Sequence, residues 1–464
     1  MDNVNPDKLR DYQNHPVDPD IDTLEFSEHL SEGQVLTLKR LLSKYRKAFA
    51  FQSGEIGCTD LVKFDIELED DTPYATRPYR VSRAERKEID RQIRELLDNG
   101  IIEPSNSPWA APVILIRESD GTYRLAVDTR ILNSKTKKIV YVLPRQDKSF
   151  DAFVGFKYAS FFDFLSAFHQ IKCTQRAKEC SGFVTPVGSF VFRQMTFGSK
   201  GAPKVYQDLM LKLLGKMAWE SAVCFIDDLG VIGKTIESHN DNLEILLHRI
   251  IVAKLTLKPK KCKFAEISAK YLGHIISREG ISTDPEKVAS IINFPVPQNL
   301  SQSRGFAQLC SFYRKFVKDF SSICAPLYEL TKKNKKNFLW SDECQIAFED
   351  LKTRLASASI LSHFNEDAES IQLYTDASGI GLGAMLTITV NKEEKLVSFY
   401  SRNLNKAEAN YHTTEQEALA IVTSVEYFRP YLYAREFKVV TDHCSLCNLM
   451  TCKSLKGRLC RWAL

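Results

Sequence analysis

No stretch of this 464-residue chain is apolar for long enough to cross a membrane as a helix. A span needs about 20 consecutive apolar residues, and the longest run, around Trp109 to Ile116, suits a buried strand. The opening Met1-Asp2-Asn3-Val4-Asn5-Pro6 lacks the charged-then-apolar pattern of a secretory signal. A disulfide framework is missing too. Twelve cysteines are scattered along the chain, too thinly for a stapled extracellular scaffold. These absences predict an intracellular protein with free thiols and no membrane partner. There is no internal repeat and no low-complexity tract. Net charge is small, with 63 Lys and Arg against 58 Asp and Glu.

What is present is ordinary globular material. Hydrophobic residues make up 44% and charged residues 26%, which excludes a collagen-like, mucin-like or wholly disordered chain. The length predicts about three domains. The charge is uneven: residues 1–70 hold 8 basic and 15 acidic side chains, so the remainder carries a formal net +12. A basic body permits a polyanionic partner without requiring one.

Apolar spacing divides the chain. Residues 1–60 are acidic and then helical, with Val35, Leu38, Leu41, Leu42 and Tyr45 on one face. A second amphipathic helix is predicted from about Ser82 to Asn99, carrying Ile89, Ile93, Leu96 and Leu97 and stopping at Gly100. Pro104, Pro108 and Pro112 lead into strands at Val113–Arg117 and Tyr123–Asp128, with a turn at Ser119-Asp120-Gly121. Phe156 to Phe168 reads as a buried strand, and Gly182 to Met195 as a hairpin turning at Gly188-Ser189. Pro203 opens a helix with Val205, Leu209, Leu213 and Leu214 inward. Two short strands flank Asp227-Asp228, and a helix runs from about Asn240 to Ala253. After Gly273 and His274 the pattern turns helical, broken at Pro295 and Pro297, and Lys332, Lys333, Lys335 and Lys336 form a basic linker. From Ile371 the order is strand, glycine-rich turn, strand, strand, helix, strand.

Adjacent carboxylates at a hairpin repel unless a divalent cation neutralises them. A solvated Asp-Asp turn is the plain alternative, but Cys224, Phe225, Ile226, Leu229, Val231 and Ile232 are too apolar for a surface turn. Asp163 lies in the aromatic run Ser160–Leu165, where a lone charge is costly. It is either a cap or strand-edge acid, or it shares a metal with Asp227 and Asp228. Three carboxylates holding two metals suit an in-line nucleotidyl transfer.

The motifs occur in a telling order. They run Gly100-Ile101-Ile102-Glu103-Pro104-Ser105, Ser107-Pro108-Trp109, Asp120-Gly121-Thr122-Tyr123-Arg124, Val127-Asp128-Thr129-Arg130-Ile131-Leu132-Asn133 and Leu143-Pro144-Arg145. Then follow Phe168-His169-Gln170-Ile171, Phe197-Gly198 with Ala202-Pro203, Phe225-Ile226-Asp227-Asp228, Leu272-Gly273-His274, Tyr374-Thr375-Asp376-Ala377-Ser378 and Thr441-Asp442-His443. From about Leu61 to Leu464 this series resembles the reverse transcriptase and ribonuclease H region of gypsy-type LTR retrotransposon Pol polyproteins.

The resemblance implies an α+β, right-hand polymerase fold followed by a truncated ribonuclease H-like domain. Its expected divisions are an N-terminal segment at 1–60, fingers and palm at 61–276, thumb and connection at 277–345, and the ribonuclease H-like domain at 346–464. Asp163, Asp227 and Asp228 match the polymerase metal ligands. Asp376, Glu417 and Asp442 match the nuclease carboxylates, although Thr414 to Glu417 also reads as a capping box that would hold a helix start. Phe168 matches the aromatic gate against a ribose 2′-hydroxyl, or is core packing. Arg124 matches the triphosphate grip, or is a hairpin surface charge; Phe197 and Lys200 face the nucleotide with them. Phe225, Ala167, Thr196 and Thr129 stand where a Tyr, Gly, Pro and aromatic are usual, and none removes a metal ligand.

The implied cofactor is Mg²⁺, two per active site, with Mn²⁺ also able to bind. The implied partners are an RNA template, a DNA primer, their hybrid and dNTPs. The implied setting is the cytoplasm, a virus-like particle or the nucleus. A further strand, helix and acidic ligand are expected beyond Leu464, and neither a protease signature nor an integrase segment is found. Lys258, Lys260, Lys261 and Lys263, and Arg314, Lys315 and Lys318 on a thumb helix, would neutralise phosphates or form solvated basic faces. Cys444, Cys447, Cys452 and Cys460 have zinc-knuckle spacing, but free core thiols fit their segment better. The rivals to a reverse transcriptase are a catalytically silent nucleic-acid-binding copy and a DNA-templated polymerase.

Overall fold

The computed structural model describes residues 10–52, 54–118, 121–141, 144–331, 338–443, 446 and 457–462. The turn at Ser119-Asp120, Leu143, the lysines at 332–336 and Cys444, Cys447 and Cys452 lie outside them, as does the side chain of Cys460. The eight cysteines described are all free, and no described helix is long and apolar enough to cross a membrane. The chain forms two compact units, Met1–Ile267 and Ser268–Leu464. Strands are numbered in chain order, as are helices of eight residues or more.

The first unit contains α1 (Glu32–Lys44), β1 (Thr59–Phe64), α2 (Arg83–Asp98), β2 (Ile102–Pro104), β3 (Ala111–Arg117), β4 (Tyr123–Val127), β5 (Tyr158–Phe162) and β6 (Ile171–Cys173). It continues with β7 (Phe183–Thr185), β8 (Gly188–Phe192), α3 (Ala202–Leu214), β9 (Ala222–Phe225), β10 (Asp228–Gly233), α4 (Ile236–Val252) and β11 (Lys263–Glu266). Helix α2 begins at a Ser82–Glu85 capping box and stops where Gly100 takes φ +65°. Its Ile89 and Ile93 pack in a small core with Val113, Phe183 and Phe192. That core backs a five-stranded sheet of order β2-β8-β7-β3-β4. A second sheet, β11-β5-β10-β9, packs under α3 and α4 over the largest core of the unit.

The second unit opens with a three-stranded sheet of β12 (Ser268–Tyr271), β13 (His274–Ser277) and β14 (Ile281–Thr283). Helices α5 (Pro285–Ile292), α6 (Leu300–Ser311), α7 (Phe320–Leu330) and α8 (Asp342–Ala356) follow. Then come β15 (Ser370–Ala377), β16 (Gly381–Val390), β17 (Glu393–Asn403), α9 (Thr413–Tyr427) and β18 (Lys438–Val440). Their sheet order is β17-β16-β15-β18, with β15 and β18 parallel.

Several local expectations are corrected. The strand expected over Phe156–Phe168 ends at Phe162, because Ser166 adopts φ +46° and starts a 3₁₀ turn over Ala167–Gln170. The hairpin of β7 and β8 turns at Pro186 and Val187, with Gly188 paired to Thr185. Residues 274–283 form strands rather than helix, since His274 pairs with both Tyr271 and Thr283. Helix α4 starts at Ile236 because Thr235 and Ser238 form a capping box. Arg314 is not on a helix but in a 3₁₀ turn, and its guanidinium bonds Ser321 Oγ at 3.0 Å and the Ser401 carbonyl.

Candidate active sites

In the first unit, the hairpin of β9 and β10 sets two aspartates at its tip. Phe225 pairs with Asp228, leaving Ile226 and Asp227 as a two-residue turn. Such turns need a positive φ, and Ile226 supplies it at +51°. A β-branched residue there stores strain on the order of 1–3 kcal/mol. Gln207 on α3 offsets it, its Oε1 accepting the Ile226 amide at 2.9 Å.

Strand β10 also pairs with β5, ending at Leu229 opposite Phe162. One step further, Asp228 and Asp163 stand across from each other. Loss of surrounding water raises the Asp228 carboxyl above the ordinary carboxylate range, and the Asp163 charge adds to it. Asp227 is raised for the same first reason and then by both neighbours, with Lys261 opposing. Asp227 and Asp228 are exposed at the hairpin tip, and like charges gathered there favour a bound cation. Lys261 Nζ meets Asp163 Oδ2 at 2.7 Å. In the sequence that lysine stands out only as part of the basic cluster at 258–263. Tyr206, fully buried beneath these acids, was missed as well; burial and the Asp227 charge push its hydroxyl up. Neither residue has a spacing signal that marks it.

The residues expected to face a nucleotide are only partly drawn together. Phe168 packs against Phe197 and Tyr206, with ring centroids 4.9 and 5.4 Å apart. Arg124 lies 5.8 Å from the Phe197 ring and pairs with Glu118 at 2.8 Å. Lys200 donates its ammonium to the Thr136 carbonyl at 2.7 Å.

In the second unit, one ligand atom each from Asp376, Glu417 and Asp442 lies within 4.8 Å of the others, the one such grouping among the described residues, so Asp163, Asp227 and Asp228 are not drawn together as closely. Asp376 is near the end of β15, Asp442 follows β18, and these two strands are parallel neighbours. His443 pairs with Thr414 Oγ1 at 3.0 Å, tying the end of β18 to the start of α9. The capping box expected at Thr414–Glu417 is instead formed by His412 and Glu415. Glu417 is thereby free of a capping role. It is 4% exposed, its Oε1 accepts the Ala377 amide at 3.3 Å, and its Oε2 has no partner. Burial first, then the charges of Asp376 and Asp442 against the pull of the Ala377 amide, push this carboxyl up to about 7. An orphaned buried oxygen among three carboxylates fits a hard divalent cation.

Two family models match. Residues 116–276 match the reverse transcriptase (RNA-dependent DNA polymerase) family, and residues 340–439 match the RNase H-like domain found in reverse transcriptase. The Pol polyprotein of transposon 412 from Drosophila melanogaster is 34% identical over 91% of this chain and 35% of its own length. The chain belongs to the reverse transcriptase and ribonuclease H region of the retrotransposon Pol polyproteins. The opus polyprotein of the same fly is 31% identical over 95% of this chain and 46% of its own length. The Tf2-3 polyprotein of Schizosaccharomyces pombe is 29% identical over 87% and 30%. This Pol region thus spans less than half of the curated relatives it matches. The foamy viral protease-reverse transcriptase in complex with double-stranded DNA superposes with TM-score 0.82 at 20% identity, covering 95% of this chain and 92% of that one. Its complex with an RNA/DNA hybrid gives TM-score 0.76 at 19% identity, covering 96% and 60%. The α+β fold of reverse transcriptase with a ribonuclease H-like domain therefore holds. The reverse transcriptase family is generally dependent on divalent metal, and the Asp376, Glu417 and Asp442 grouping could hold such an ion.

Proposed function

We propose that this Pol region is an RNA-directed DNA polymerase that extends a DNA primer on an RNA template, with a hybrid-cleaving ribonuclease H centre attached. The observation that carries the reading is the meeting of Asp163 with Asp228 and Asp227 beyond the paired ends of β5 and β10. Residues 61–276 serve as fingers and palm, 277–345 as thumb and connection, and 346–464 as the nuclease-like domain. Asp163, Asp227 and Asp228 would hold the ions of one centre, and Asp376, Glu417 and Asp442 those of the other. Mg²⁺ suits these all-oxygen sets, with Mn²⁺ as the second choice. Such ions make a primer hydroxyl nucleophilic and neutralise the leaving pyrophosphate.

The chain's own side chains do the remainder. Lys261 neutralises Asp163 until the ions take that part. Phe168, braced by Phe197 and Tyr206, is a wall that a ribose 2′-hydroxyl strikes, so the substrates are dNTPs. Arg124 leaves Glu118 to grip the triphosphate through its planar fork, and Lys200 lends charge nearby. The double-stranded DNA and RNA/DNA hybrid bound by the foamy viral proteins support nucleic-acid substrates here. A hybrid is read by shape and backbone.

Primer extension on an RNA template with Mg²⁺ tests the reading. The parent chain extends the primer, and Asp227→Asn lowers the rate roughly 10³-fold or more. Absence of extension by both would leave a silent nucleic-acid-binding copy, and extension only on DNA would make it a DNA-templated polymerase.

A further inference from the structure

Another acid, Asp319, stands beside Asp376, and it comes from outside the strands and helix that carry Asp376, Glu417 and Asp442. Asp319 precedes α7 with φ +56°. It occupies the N-cap position without capping the helix. Aspartate is favoured at that position because its oxygen accepts an amide of the first turn. Here Ser401 Oγ on β17 accepts the Ser321 amide instead, at 3.0 Å. The Ser321 hydroxyl donates in return to the Ser401 carbonyl at 2.9 Å. With its capping role taken, the Asp319 carboxylate lies on the sheet.

Its resting place is above Gly383. A Cβ on that glycine would stand 2.5 Å from Asp319 Oδ1. Gly383 on β16 is the register partner of Asp376 on β15 and of Ser401 on β17. Cross-strand partners point to one face, with Cβ atoms about 5 Å apart. Asp319 thus fills the place of the missing side chain, directly beside Asp376. Burial, and then the Asp376 charge, raise its carboxyl, while Lys318 and Arg354 act the other way.

Acids gather on surfaces without a ligand, but this group contains a buried carboxylate oxygen, Glu417 Oε2, that no donor satisfies. That oxygen points to a cation. Asp319 is outside the three whose ligand atoms lie within 4.8 Å, and of those three it feels the charge of Asp376. Mg²⁺ surrenders its water reluctantly, so acids one water away help to hold it. We propose that Asp319 is an additional, outer acidic group of this centre, holding through water the divalent cation that Asp376, Glu417 and Asp442 ligate. The proposal rests on the reading of that trio as a metal centre. It also gives Gly383 a purpose, since any side chain there would displace the carboxylate.

Mn²⁺ titration of the full chain, read by the spin resonance of the free ion, tests this in a background carrying Asp227→Asn and Asp228→Asn. Asp319→Asn weakens Mn²⁺ binding about 10-fold without lowering the melting temperature, because asparagine also tolerates a positive φ. Gly383→Ala weakens it in the same direction. Binding abolished by Asp376→Asn but untouched by Asp319→Asn overturns the proposal and leaves the metal centre standing. Binding indifferent to Asp376→Asn overturns both.

Discussion

Glu417 holds an unsatisfied carboxylate oxygen in a nearly dry position, among two other acids. That arrangement costs stability until a cation arrives, so function and metal-free stability oppose each other at this residue. Glu417→Gln should therefore stabilise the metal-free protein at pH 8 by about 1 kcal/mol, read from urea unfolding in a chelator. The same variant loses Mn²⁺ binding at that centre. A destabilised variant would mean that the carboxylate is structural. The six acids were legible because each belongs to a short motif, and the motifs follow one another in a fixed order along the chain. Lys261, Tyr206, Gln207 and Asp319 were not, since each matters only for what lies across from it in space.

At the scale of elements, the amphipathic faces of α1 and α2 were readable because helical periodicity is a local property. What holds α1 in place was not. Glu244 on α4 is completely buried, and it accepts from Lys44 Nζ at 2.8 Å, from the Tyr45 hydroxyl at 3.2 Å and from the Arg10 amide at 3.0 Å. Removing one partner of a buried charge costs more than removing both. Lys44→Met should therefore destabilise the protein by about 2 kcal/mol, while Lys44→Met with Glu244→Met recovers part of that. Chemical denaturation of the four species checks it, and additive losses would show that the pair is uncoupled. The strands at 274–283 were misread for the same reason: their apolar residues are few and their partners are neighbouring strands. The turn of β7 and β8 was misplaced by one dipeptide because a glycine at the start of a strand resembles a turn glycine.

For the whole molecule, buried neutral histidines set the response to acid. Burial lowers His169 and His239 to about 4 and His274 to about 3. His239 sits between Ser160 Oγ at 2.8 Å and Asn240 Oδ1 at 3.1 Å. Below their ordinary value of about 6.5, the unfolded chain binds more protons than the folded one. Their share of stability is thus complete above pH 6.5 and is lost as pH falls towards 4, at up to about 1.4 kcal/mol per pH unit for each histidine. Urea midpoints measured from pH 7.5 to 4.5 should fall steadily, and His239→Gln should flatten the decline; an unchanged slope would remove His239 from this account. Taken alone, the sequence determined the family and the order of the motifs that single out the six acids, because these depend on residue type and spacing along one dimension. Only the tertiary structure decided that Glu417 is left unsatisfied rather than capping its helix, that Lys261 faces Asp163, and that Asp319 comes to rest beside Asp376. Each of these depends on burial and on distances between residues far apart in the chain, which no local pattern encodes.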